Sequence, residues 1–283
     1  MYTVDDLKYL MSRLRDPECG CPWDLEQSYA TIVASTIEEA YEVADAIERE
    51  DLKHLPEELG DLLFQVIFYS QLGKEDGRFD FDQVVDTLVA KLIRRHPHVF
   101  TDGTLCGQGA RDQVNTETKT AQVSQTWEQI KAQERDEKGL RSILDDVPTG
   151  LPALTRAQKL QHRLAKTGWD WQAIEPMLAK LDEERLELNE ALLVAGAAGL
   201  DPKDCPDVAA ELGDVLFMAV NIARFLKIDA ETCLRASSRK FESRVRFIES
   251  TLAERGQAIG EGDEDQLEAL WQQAKSFEKS GPL

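Results

Sequence analysis

The chain repeats itself, and that repeat limits its architecture more than any other feature of its 283 residues. Glu58-Leu59-Gly60-Asp61-Leu62-Leu63-Phe64 returns as Glu211-Leu212-Gly213-Asp214-Val215-Leu216-Phe217, an offset of 153 residues. Glu38-Glu39-Ala40-Tyr41-Glu42 is echoed by Glu183-Glu184-Arg185-Leu186-Glu187, and Trp23-Asp24 by Trp169-Asp170, at offsets of 145 and 146 residues. Lys91 and Arg95 correspond to Lys240 and Arg244. Trp127-Glu128-Gln129-Ile130-Lys131 corresponds to Trp271-Gln272-Gln273-Ala274-Lys275. Matches in one order at nearly one offset describe a duplication. Two copies are too few for a solenoid, so each is expected to be a domain of about 140 residues, the first over 1–140 and the second over 145–283.

Each copy reads as helical. Ile32, Ile37, Tyr41, Ala44 and Ile47 recur at mostly helical intervals. Ser35 or Thr36 is expected to cap that helix ahead of its acidic pair. Pro56 suits the first turn of the next helix. Leu59 to Leu72 is apolar on most sides and is expected to be buried. In the second copy the same reasoning predicts a helix near Glu175 to Ala195, a loop from Gly196 to Pro206, and a buried helix from Asp207 to about Leu226. Period-two alternation is scarce, which disfavours strands. Thr101 to Asn115 reads as a loop and Leu144 to Pro152 as the linker between copies. The fold class is all-α.

Composition excludes several functions. The chain carries 33 Lys+Arg against 53 Asp+Glu, a formal net charge of −20. A surface this acidic opposes nucleic-acid binding, which needs a basic footprint. A small phosphorylated ligand is compatible if cations stand between the two sets of negative charge. The first residues have neither a basic nor an apolar leader segment, and no apolar run approaches a membrane span. The five cysteines lack paired C-x-x-C spacing. Neither a zinc site nor a disulfide framework is expected, and the cytoplasm is the natural compartment.

The carboxylates carry the chemistry. Glu38, Glu39 and Glu42 fall near one face of one helix, and Glu58 and Asp61, three apart, near one face of the next. Antiparallel neighbours would bring Glu39, Glu42, Glu58 and Asp61 together. Ionised carboxylates share a half-buried pocket only if a cation neutralises them. Oxygen-only ligands favour Mg²⁺, Mn²⁺ or Ca²⁺ over zinc or copper. The second copy offers Glu183, Glu184, Glu187, Glu211 and Asp214. Its loop between the acid groups is longer while the spacing inside each helix is unchanged, as a metal cluster requires. A single such acidic pattern is ordinarily a solvated helix face; its recurrence argues for a site. A di-iron bundle would want a Glu-x-x-His on each of two helices, and the apolar helices lack histidine. Lys91, Arg94 and Arg95, and in the second copy Arg239, Lys240 and Arg244, suit either phosphate oxygens or salt bridges with an acidic surface. His96 and His98, with a proline between them, are expected to end a helix and cover an apolar edge. Trp23 and Trp169 are read as core residues or as platforms for a base.

These residues resemble the MazG-type nucleoside triphosphate pyrophosphohydrolases of the two-domain bacterial kind. The resemblance rests on the paired acidic motifs, on Cys21-Pro22-Trp23-Asp24, on Arg94 to Phe100, on Arg156 to Gln161 and on Gly168 to Trp171. It covers nearly the whole chain. It implies four-helix cores completed by dimerisation, and cleavage of nucleoside triphosphates between the α- and β-phosphates to monophosphate and pyrophosphate. It implies Mg²⁺, with Mn²⁺ a possible substitute, held by Glu39, Glu42, Glu58 and Asp61 and by Glu184, Glu187, Glu211 and Asp214. Glu38 and Glu183 become candidates to orient or deprotonate water. Lys159, Lys240, Arg244 and Trp271, with Lys91 and Arg95 in the first copy, become candidates to grip substrate. The second copy departs at Ala210, where the first has Glu57. Two alternatives stand beside this reading: a narrower pyrimidine-nucleotide hydrolase, and a helical nucleotide-binding regulator or adaptor with a structural divalent cation.

Overall fold

The computed structural model describes residues 1–105, 123, 127, 130–137 and 139–280. Among these residues there is no strand. The chain divides into two compact units, Met1–Glu134 and Arg135–Leu283. The predicted loop over 101–115 lies outside the described residues from 106 onward.

In the first unit, α1 (Val4–Leu14) opens on a reciprocal cap between Thr3 and Asp6. A short α2 (Pro22–Glu26) leads to α3 (Val33–Glu48), α4 (Leu55–Glu75) and α5 (Phe81–Arg95). Pro56 stands in the first turn of α4, where its missing N–H costs nothing. Asp80 caps α5. Residues 130–134 are also helical. Met11, Ile32, Ile67, Phe68 and Leu72 form the core, with Tyr29 and Phe64 packed on it. Each such buried side chain contributes about 1.5–3 kcal/mol. The expected cap of α3 differs. Its N-cap is Ile32, and Thr36 lies one turn inside, where its hydroxyl donates to the Ile32 carbonyl (2.9 Å) and meets the Tyr69 hydroxyl (3.1 Å). The second of these bonds joins α3 to α4.

The second unit holds α6 (Ala153–Ala165), α7 (Ile174–Ala197), α8 (Pro206–Phe225), α9 (Ala230–Ala253) and α10 (Glu264–Ser280). Short 3₁₀ turns stand at Pro202–Asp204 and Ile259–Glu261. Residues 144–152 are not helical. Gly168 adopts φ +90°, a region open to glycine, and turns the chain from α6 into Trp169-Asp170. Helices α7 and α8 pack as the counterparts of α3 and α4. A separate core joins Ile248, Leu252 and Leu270, with Trp271 against it.

The second helix of each pair is buried on part of its surface only, where its composition predicts burial on most sides. In α4, Gln65, Ile67, Phe68, Ser70 and Leu72 are buried, but Leu59, Asp61, Leu63 and Val66 are exposed. In α8, Leu212, Asp214, Leu216 and Phe217 are exposed. The reason is geometric. Helices α1, α3 and α5 pack on α4, and α6 and α7 on α8, and together they leave one side of each apolar helix uncovered.

Candidate active site: two carboxylate clusters

Helix geometry brings the acids together in both copies. Carboxylate oxygens of Glu39 and Glu42 on α3 and of Glu58 on α4 lie within 4.8 Å of one another. The oxygens of Glu184 and Glu187 on α7 and of Glu211 on α8 do the same. Residues three apart on a helix stand on adjacent turns of one face, so each pair presents both carboxylates to the facing helix. Glu39 and Glu58 are half-buried, Glu184 is buried, and Glu42 and Glu187 are exposed.

Crowding has an electrostatic cost. Burial, and then the Glu42 carboxyl beside it, push the Glu39 carboxyl up; Asp61 and Glu38 add to the rise. Glu187 is pushed up by its hydrogen bond with Glu184, then by burial, against the pull of Lys180. Hard oxygen donors at this mutual distance are the donor set a small divalent cation fits. Asp61 and Asp214 fall outside the two tight groups, although Asp61 is near enough to act on Glu39. Glu38 and Glu183 are exposed at the edges of the clusters.

A cation pairs with the acids in the second copy and has no counterpart in the first. Lys180 donates to Glu183 (2.8 Å) and pairs with Glu184 (2.9 Å), and these carboxylates hold its ammonium well above the usual lysine value. It stands three and four residues before them on α7, a spacing visible in the sequence. The corresponding residue of the first copy is Ser35.

The candidate phosphate-gripping residues are not gathered on the acids. Arg244 is bound to Glu278 (3.0 and 2.7 Å) and lies over the Trp271 ring, 5.1 Å from its centroid. Arg95 is bound to Glu134 (3.3 and 2.5 Å), which also takes Arg94 (2.5 Å). These guanidinium groups hold the Glu134 carboxyl down at about 2. The acidic partners Glu134 and Glu278 each lie seven residues after the repeated tryptophans Trp127 and Trp271, so the repeat itself marked them. Lys240 is exposed but near enough to lower Glu278. Lys159 is exposed and Lys91 half-buried. His96 ends α5 and meets the Trp127 ring edge-on at 5.1 Å, as a helix-ending residue that covers an apolar edge. Trp23 and Trp169 are 60% and 77% exposed, which removes the core reading of both.

Comparison with known proteins agrees with this arrangement. The MazG nucleotide pyrophosphohydrolase domain matches twice, over residues 27–100 and 172–247. The chain is 45% identical over 278 residues to the nucleoside triphosphate pyrophosphohydrolase of Escherichia coli K12, covering 98% of this chain and 99% of that protein. It is 36% identical over 276 residues to the nucleoside triphosphate pyrophosphohydrolase/pyrophosphatase MazG of Thermotoga maritima, covering 98% and 97%. A relative from Mycolicibacterium smegmatis, also named nucleoside triphosphate pyrophosphohydrolase, is 34% identical over 220 residues, covering 71% of this chain and 63% of that protein. With both of its acidic helix pairs inside matched domains, the chain belongs to the MazG nucleotide pyrophosphohydrolase family.

Proposed function

We propose that this chain is a divalent-metal-dependent nucleoside triphosphate pyrophosphohydrolase that splits (d)NTPs into (d)NMP and pyrophosphate. The single observation that carries the reading is the repetition of one three-carboxylate cluster, within 4.8 Å, in both family domains. Mg²⁺ is the proposed ion, with Mn²⁺ as substitute, held by Glu39, Glu42 and Glu58 with Asp61, and by Glu184, Glu187 and Glu211 with Asp214. When bound, such ions neutralise the triphosphate and acidify water. The chain's own contribution is positional. Glu38 and Glu183, at the cluster edges, accept the proton of the attacking water. Lys91, Arg95, Lys159, Lys240 and Arg244 are proposed to hold phosphate oxygens, and Trp271 to support Arg244 from beneath. Arg95 and Arg244 come already oriented by Glu134 and Glu278, which reduces the ordering cost of binding.

Two copies of the chain are proposed to complete the four-helix cores. Support comes from the exposed apolar faces at Ile37, Tyr41, Leu59 and Leu63, and at Leu186, Leu193, Leu212 and Leu216. The cytoplasm is the proposed compartment, and housekeeping of the nucleotide pool the proposed role. Among the described residues the cysteines are unpaired, and no helix is long and apolar enough to cross a membrane.

Product analysis tests the reaction. The protein is incubated with NTPs and dNTPs, with and without Mg²⁺, and the products are resolved by ion exchange. Monophosphate plus pyrophosphate, formed only with metal, is the expected result. Diphosphate plus orthophosphate would move the attack to the γ-phosphorus. Absence of turnover with Mg²⁺ bound would favour a regulator.

A further inference from the structure

The second acidic cluster already holds a cation, and the chain itself supplies it. Lys180 stands one turn before the Glu183-Glu184 pair on α7. Its Nζ lies 2.8 Å from Glu183 Oε1 and 2.9 Å from Glu184 Oε1. Glu184 is also one of the three carboxylates drawn within 4.8 Å of one another, with Glu187 and Glu211. The Glu184 side chain is 12% exposed and that of Lys180 35%, so solvent screens their contact less than it screens a surface pair. A lysine ends a flexible stem in a compact charge, so its ammonium leaves or keeps the carboxylate without any change in the helix.

The first cluster is built differently. Ser35 occupies the position of Lys180. Arg49 and His54, which lie between that copy's two acid groups in the chain, are bound to Asp45 (2.8 Å) and Asp51 (2.7 Å). Among the described residues, none of Glu38, Glu39, Glu42 and Glu58 takes part in an ion pair. The acids differ as well. Glu57 precedes Glu58 in the first copy, and Ala210 precedes Glu211 in the second. With Glu57 and Lys180 included, the two motifs carry formal charges of −6 and −4. A divalent ion that enters the first copy meets anionic donors alone. One that enters the second meets less negative charge, and it must share Glu184 with an ammonium or displace it.

We propose that Lys180 is a tethered competitor of the divalent ion, so that the chain binds metal in two classes, tightly in the first copy and about tenfold more weakly in the second. This rests on the proposed assignment of the carboxylate clusters to metal. As free Mg²⁺ rises, the first copy fills before the second. Without metal the order inverts: Lys180 relieves the repulsion among the second set of acids, and the first set bears its repulsion in full.

The test reads binding rather than turnover. Mn²⁺ is titrated into the full, metal-stripped chain, and the free ion is followed by paramagnetic resonance. Glu42→Gln is expected to remove the tight class and Glu187→Gln the weak one. Lys180→Ser, which installs the first copy's residue, is expected to tighten the weak class about tenfold and to leave the tight class unchanged. Ser35→Lys is expected to weaken the tight class by a similar factor. Metal-free Lys180→Ser is expected to melt below the parent, and saturating Mn²⁺ to close the difference. Circular dichroism verifies the fold of each variant. Ser35→Lys lies in the other unit, so it decides the matter if Lys180→Ser folds poorly. Unchanged dissociation constants in both exchange variants overturn the proposal. So does a weak class that disappears in Glu42→Gln, or an equal tightening of both classes by Lys180→Ser. If neither Glu42→Gln nor Glu187→Gln alters Mn²⁺ binding, the ion is not at the carboxylates, and the metal assignment falls together with the role of Lys180.

Discussion

Arg244 and Glu278 are joined by two parallel hydrogen bonds, Nε to Oε1 at 3.0 Å and Nη2 to Oε2 at 2.7 Å, across α9 and α10. The first unit builds the same pair from Arg95 and Glu134. A guanidinium held by a carboxylate on one edge keeps further N–H groups for an anion. Arg244→Lys keeps the charge and loses the fork. It is expected to raise the KM for triphosphate about tenfold, and to lower the melting temperature. Steady-state kinetics and thermal melts measure the two effects. An unchanged KM would remove Arg244 from the substrate site and leave it a helix clamp.

The carboxylate clusters make the sharpest demand. With the first copy silenced by Glu42→Gln, either Glu187→Gln or Asp214→Asn is expected to lower turnover at least about a hundredfold, with the helical signal unchanged. In the metal-free chain Glu187→Gln is also expected to melt slightly higher, because it removes the charge that crowds Glu184. Full activity in both variants would falsify the catalytic assignment.

Metal binding and protons should compete at the same oxygens. Glu39 and Glu187 are both raised above the ordinary carboxylate value of 4.5. The sign follows from linkage. A raised folded-state value contributes stability below pH 4.5, and that contribution is lost as pH rises through the folded value. Neutral pH is therefore where the metal-free clusters are most strained and where a cation relieves them most. The gain in melting temperature from millimolar Mg²⁺ is expected to grow from pH 5 to pH 8. Saturation at a hundred times Kd corresponds to about 2.7 kcal/mol. A Mg²⁺ effect independent of pH, or retained in a chain carrying Glu39→Gln and Glu187→Gln, would show the ion bound elsewhere.

Glu134 behaves in the opposite sense. Its carboxyl is lowered from 4.5 to about 2 by Arg95 and Arg94. A lowered value gives stability that is present above pH 4.5 and lost as pH falls through about 2. Glu134→Gln is expected to be less stable than the parent at pH 7 and to lose less on acidification across that window. Parallel acid-denaturation profiles for the two proteins would show that the pair contributes nothing.

The sequence alone determined the local order. An α-helix places residues three and four apart on one face wherever it forms, so the acid pairs, the helix start at Pro56 and the duplication were legible without coordinates. Lys180 was equally legible, three and four residues before its partners. Tertiary structure decided what depends on distant segments. Arg95 and Arg244 meet Glu134 and Glu278, which lie 39 and 34 residues away in the chain. Trp169 stands at the surface, beside a cleft whose walls come from α6 and α8. Leu59, Leu63, Leu212 and Leu216 remain outside the cores that their helices otherwise enter. Periodicity states which face of a helix is apolar. Which neighbour covers that face, and which charges that neighbour carries, is fixed only when the helices pack.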